Sequence, residues 1–152
     1  MNWSKKIIFL CISIFLLGCG SEVTSSEPKE QELTLEMLNY GLQIGADYDS
    51  TLIELEKRGF IQENDNFKGV FQNLSVQIIV SGPHKISSWK IIWKGENKDI
   101  LAFSKQLENV LKTNYADLAG SNNYYSARFR SINTEVILEC IIWENKIELV
   151  NR

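Results

Sequence analysis

Oily and polar positions change rhythm several times along this chain. Residues 7–17, "IIFLCISIFLL", form an apolar run without a charge. Apolar residues then thin out through "GSEVTSSEPKEQE", residues 20–32, where Val23 is the only large one. They return in two alternating patterns. A spacing of three and four predicts helices, and strict alternation predicts half-buried strands.

The helical spacing occurs twice. In "GADYDSTLIELEKRGF", residues 45–60, Leu52 and Leu55 fall on one face, Asp47 or Asp49 can cap the start, and Gly59 can stop the end. In "NKDILAFSKQLENVLKTNY", from Asn97, one face holds Ile100, Phe103, Leu107 and Leu111. The opposite face holds Lys98, Lys105, Glu108 and Lys112. Between the tail and the first helix, Leu33 to Gly45 reads two ways. Leu38, Tyr40, Leu42 and Ile44 alternate as in a strand, whereas Leu33, Met37 and Leu38 fit a short helix.

Alternation predicts six strands: 67–72, 75–81, 85–94, 124–131, 134–143 and 146–151. The element order is helix and three strands, then helix and three strands again. This predicts a two-layer α+β sandwich, an antiparallel sheet with helices on one face, in a tandem helix-plus-three-strand arrangement. One face of the strands collects Val76, Ile78, Val80, Trp89, Ile91, Trp93, Tyr125, Ala127, Phe129, Val136, Leu138, Cys140, Ile142, Ile147 and Leu149, the expected core.

The first turn of the sequence supplies an address. Lys5 and Lys6 precede the apolar run, which suits a secretory signal and is too short to cross a bilayer. The run ends "LLGC", Leu16 to Cys19, which resembles the lipobox of bacterial lipoproteins. That resemblance implies cleavage after residue 18, lipid attachment at Cys19, and a tether over 19–32 before a domain spanning 33–152. Acyl chains add about 0.8 kcal/mol per buried CH₂, so several chains make a permanent anchor. The expected location is a cell membrane or outer membrane, with the domain on the extracytoplasmic side. Ser21 at the second position after the cysteine implies passage to an outer membrane where the cell has one.

A second resemblance lies in "IGADYDSTLIELEKRGF", residues 44–60. This stretch resembles the capped-helix unit of small envelope lipoproteins. These include the BamE (SmpA/OmlA) group and proteins with the fold of the β-lactamase inhibitory protein. A BamE-type domain places two helices before three strands, whereas this chain interleaves them. No functional residue is carried over. The resemblance implies binding or assembly.

Composition narrows the chemistry further. Loss of Lys5 and Lys6 with the signal would lower the formal charge by two, from −3 to −5. A mildly acidic chain lacks the clustered basic surface that phosphate backbones need, so nucleic acid is not an expected partner. With Cys11 removed and Cys19 acylated, only Cys140 is left, and no internal disulfide forms. The single histidine, His84, sits in a turn sequence, "SGPHK", and reads as a solvated residue. One Cys and one His cannot build a protein zinc site. "DYDS" and "ENDN" stop short of a calcium loop, and Asp47 and Asp49 read as helix caps. No cofactor or metal is implied, and no catalytic residue stands out.

The second face of the strands is the remaining candidate. Ile79, Lys90, Ile92, Lys94, Arg128, Arg130, Ile137, Glu139 and Ile141 mix aliphatic residues with both signs of charge. Apolar anchors in a charged surround suit a protein-binding sheet. A β-rich sequence also places Ile on open sheets for propensity alone. Three functions follow as expectations. The first is a lipid-anchored, non-enzymatic binding or assembly module of the cell envelope, whose partner is another envelope protein. The second is an inhibitor or immunity-type lipoprotein against a secreted enzyme. The third is a small carboxylate-based enzyme, which needs a deep pocket with two facing acids.

Overall fold

A computed structural model describes residues 33–131 and 134–152. The expected signal segment, the expected lipid site Cys19 and the expected tether to residue 32 all lie outside the described residues. The described residues form one compact unit.

Capping decides where the helices begin and end. Helix α1 (Leu35–Asn39) starts at Thr34, whose Oγ1 accepts from the Met37 N–H at 3.3 Å. It ends at Tyr40, in the left-handed region at φ 52°. The helical reading of this segment therefore wins over the strand reading. The alternating Leu38, Tyr40 and Leu42 are all buried, but along a helix end and a loop. Helix α2 (Tyr48–Lys57) is capped by Asp47, whose Oδ1 accepts from the Ser50 N–H at 2.8 Å. Its end is a Schellman motif. The Gly59 N–H reaches the Glu56 carbonyl, and the Phe60 N–H reaches the Leu55 carbonyl at 3.1 Å. Gly59 adopts φ +88°, which a side chain would strain. Helix α3 (Asn97–Asn114) buries Ile100, Phe103, Leu107, Val110 and Leu111.

Eight strands follow the same parity logic: β1 (Ile61–Glu63), β2 (Asn66–Phe71), β3 (Leu74–Ser81), β4 (Ser88–Lys94), β5 (Ala119–Ser121), β6 (Tyr124–Ser131), β7 (Thr134–Ile142) and β8 (Lys146–Asn151). They make a single antiparallel sheet in the order β1-β2-β3-β4-β8-β7-β6-β5. Each half is a meander of four strands, and the last strands of the two meanders, β4 and β8, pair at the centre.

This corrects the expected fold class. The fold is predominantly β, with 43% strand against 28% helix among the described residues, and not a two-layer α+β sandwich of helix-plus-three-strand halves. Two causes are visible. β1 and β5 have three residues each, with every residue exposed, so they carry no alternation for a pattern to reveal. They lengthen the sheet at both edges. The helical side gains only the five-residue α1 beside the two expected helices, so strand outweighs helix.

The expected core face is buried, apart from Phe129 and Ile142, which are half-buried. Its densest point is aromatic. Trp93 is fully buried, its ring centroid 5.1 Å from Phe103, and its Nε1 donates to the Tyr40 hydroxyl at 3.1 Å. Tyr40 stands edge-on to Phe60 at 4.9 Å. Phe60 lies so close over β2 that a Cβ on Gly69 would meet its ring at 2.7 Å. Through Phe60 and Tyr40, the ends of both short helices are pinned to the sheet. Burial pushes the Tyr40 hydroxyl well above the ordinary tyrosine range, so it stays a neutral partner for Trp93.

Candidate functional site: the open face of the sheet

The alternate residues of the long strands point away from the core and build a second surface. Register fixes their neighbours. Ile92 lies opposite Gln77 on β3 and Glu148 on β8. Lys90 lies opposite Ile79 and Val150. Glu139 lies opposite Val150 and Ser126, and Ile141 opposite Glu148 and Tyr124. Ile137 faces Arg128 and exchanges backbone hydrogen bonds with Arg152.

Aliphatic and charged residues therefore alternate across the strands as well as along them. Ile92, Ile141 and Ile137 are all diagonal neighbours of Val150, each about 7 Å from it. Ile79, Ile92, Ile137, Ile141 and Val150 are each half-buried. They form an apolar lattice whose gaps hold charged side chains.

The charges are paired unevenly. Arg152 Nη2 lies 2.5 Å from Glu139 Oε2, and the Tyr124 hydroxyl donates to the other Glu139 oxygen at 3.1 Å. Arg128 sits 3.9 Å from Glu135 near one end of the sheet. Glu148 serves two lysines, Lys146 at 3.1 Å and Lys90 at 3.7 Å. Lys68 pairs with Glu63 at the β1 edge. Lys94 and Arg130 are exposed and have no ion pair among the described residues. In all, the strands place seven basic residues on this face (Lys68, Lys90, Lys94, Arg128, Arg130, Lys146 and Arg152) against Glu63, Glu135, Glu139 and Glu148. The chain as a whole has 16 basic residues and 19 acidic ones, so this face inverts the sign of the protein's charge.

Lys94 lies directly opposite Lys146. Like charges so placed destabilise a sheet by up to about 1 kcal/mol. Lys94→Glu is therefore expected to raise stability by a few tenths of a kcal/mol, roughly. Urea unfolding of the two chains checks this, and a clear loss of stability would contradict the reading of that pair.

All nine residues singled out on this face lie on the open side of the sheet. Sequence alternation missed Lys146, Val150 and Arg152, although β8 shows the required parity: Ile147 and Leu149 are buried, and the residues between them face out. Tyr124 and Lys68 also lie on it, the first 43% exposed.

Other chemistry is poorly served. Cys140 is buried, and desolvation pushes its thiol up to about 12, so it is a packing residue without nucleophilic character. His84 stands exposed in the turn after β3, its backbone carbonyl accepting from the Tyr48 N–H at 3.0 Å. Among the described residues, no cluster of His, Cys, Asp or Glu is arranged to hold a metal ion. A shallow pocket of about 180 Å³ lies beside α2, lined by Tyr40, Asp47, Ser50, Thr51, Glu54 and Arg58 among others. It does contain two carboxylates. Asp47 is held below its usual range first by the Ser50 hydrogen bonds, and Glu54 first by its 2.6 Å hydrogen bond to Lys57. Neither is poised to carry a proton near neutral pH.

The Asp47 cap has a consequence for folding. Its folded-state value is depressed, so its contribution is present above the unfolded carboxyl range and disappears as pH falls through the folded value. Asp47→Ala is expected to lower the melting temperature at neutral pH and to converge with the parent chain in acid. A constant difference between the two melting curves at every pH would contradict the cap.

No family model matches the chain, and no curated protein and no solved structure matches it either.

Proposed function

We propose that this protein is a lipid-anchored, non-enzymatic binding or assembly module of the bacterial cell envelope, presenting the open face of its sheet to another protein. The observation that carries this reading is the lattice of half-buried aliphatic residues interleaved with charges on β3, β4, β7 and β8. Interfaces combine apolar anchors with polar groups that fix register, and this face has both. The lipobox-like "LLGC" supports the anchor at Cys19.

The two halves of the proposal have separate tests. Metabolic labelling with a radiolabelled fatty acid is expected to label the parent chain and leave Cys19→Ala unlabelled. An unlabelled parent chain, or equal label on both, would contradict the anchor. For the face, the mature chain serves as bait on solubilised envelopes, beside a chain carrying Ile92→Glu and Ile137→Glu. A protein held by the first bait and lost by the second supports the reading. Equal capture by both contradicts it.

A further inference from the structure

The central strand pair breaks a rule of sheet stability. Lys94 on β4 and Lys146 on β8 stand directly opposite each other on the open face. Lys90, two residues before Ile92, brings a third ammonium group to the same strand face. One carboxylate, Glu148, serves Lys90 and Lys146, and Lys94 has no ion pair among the described residues. Lys146 is further committed to the ring of Trp143, with its Nζ 4.1 Å from the centroid. Trp143 itself is 39% exposed. Three cations, one anion, Ile92 and an accessible indole thus share one small area.

Such a cluster has unspent capacity for an anion. A carboxylate between the Lys94 and Lys146 ammonium groups would turn their opposition into two charge-assisted hydrogen bonds. An apolar group beside it would rest on Ile92. Resting on our reading of this face as a docking surface, we infer that the partner is a protein carrying an acidic patch, with a carboxylate side chain seated over Lys94 and Lys146 and an apolar neighbour over Ile92.

The face fits a protein better than an anionic membrane. A bilayer surface offers a broad negative field. It would attract the lysines and repel Glu139 and Glu148, which occupy the middle of the same surface. A protein can set cations opposite those acids and anions opposite the lysines, which fixes orientation. Stability given up where Lys94 meets Lys146 is the pattern expected of a site that is completed by its partner.

The test uses the full mature chain and a labelled peptide of alternating Glu and Leu, with a Gln-for-Glu counterpart as control. Anisotropy is expected to show binding of the Glu peptide, weakened by salt, and none of the Gln peptide. Lys94→Gln with Lys146→Gln is expected to weaken that binding by about tenfold. Both lysines are on the surface, and thermal melting confirms that the variant is folded. Equal binding of the two peptides, no binding of the Glu peptide, or an undiminished lysine variant would each overturn the inference. Amine footprinting guards against the membrane alternative. Lys94 and Lys146 are expected to react equally with phosphatidylglycerol or phosphatidylcholine vesicles present, and selective protection by phosphatidylglycerol would overturn the inference. The envelope capture separates the two readings. If the isoleucine variant loses the natural partner and the lysine variant keeps it, the docking face stands and the acidic partner falls. If both variants keep it, the face falls as well.

Discussion

Trp93→Ala is expected to remove about 3–5 kcal/mol of stability. Trp93 is fully buried at the junction of β4, α3 and the end of α1. Its removal opens a cavity between Phe103 and Tyr40. It also strips the Tyr40 hydroxyl of its donor, leaving a buried phenol unpaired. Small domains have only about 5–15 kcal/mol to lose, so the variant is expected to be partly unfolded near body temperature. Tyr40→Phe is expected to cost less, about 1–3 kcal/mol, because the ring packing survives and only the Trp93 N–H loses its partner. The two effects share one hydrogen bond and are not expected to add. Urea unfolding measures all three chains. A Trp93→Ala chain as stable as the parent would mean that the α1 end is not pinned through this residue.

Much of this core was legible beforehand, for a physical reason. Strands of six or more residues expose their parity, and the buried face of β3, β4, β6, β7 and β8 follows the alternation residue by residue. The α3 stripe and the Asp47 cap were legible on the same grounds. What escaped was structure too short to have a period. β1 and β5 are three residues each and extend the sheet at both edges, while the five-residue α1 was legible only as one of two readings of its segment. The pairing of β4 with β8 was also hidden, since nothing local marks which edges of two meanders will meet. The open face was legible as a set of outward residues but not as an arrangement. Only register shows that Lys94 meets Lys146, and that Val150 lies diagonal to Ile92, Ile137 and Ile141.

The second large effect concerns that arrangement. Ile92→Glu with Ile137→Glu is expected to abolish partner binding while leaving the fold standing. Both side chains are only half-buried and leave the core untouched. At 137 the new carboxylate faces Arg128 and adjoins Arg152, so it gains attractive neighbours. At 92 it faces Glu148, but Lys90 and Lys94 flank it on the same strand. Strand propensity costs at most about 1 kcal/mol at each position, and the melting temperature is expected to fall by only a few degrees. At an interface the same changes put two desolvated carboxylates where apolar contact is needed. A loss of that kind at a central anchor is commonly about 2–4 kcal/mol, roughly thirtyfold or more in affinity.

The most direct measurement is quantitative capture from solubilised envelopes, with parent and double-variant baits compared by mass spectrometry after both have been shown to melt cooperatively. The expected result is one or a few proteins enriched on the parent and absent from the variant. Equal enrichment on the two folded baits would contradict a docking role for the open sheet face.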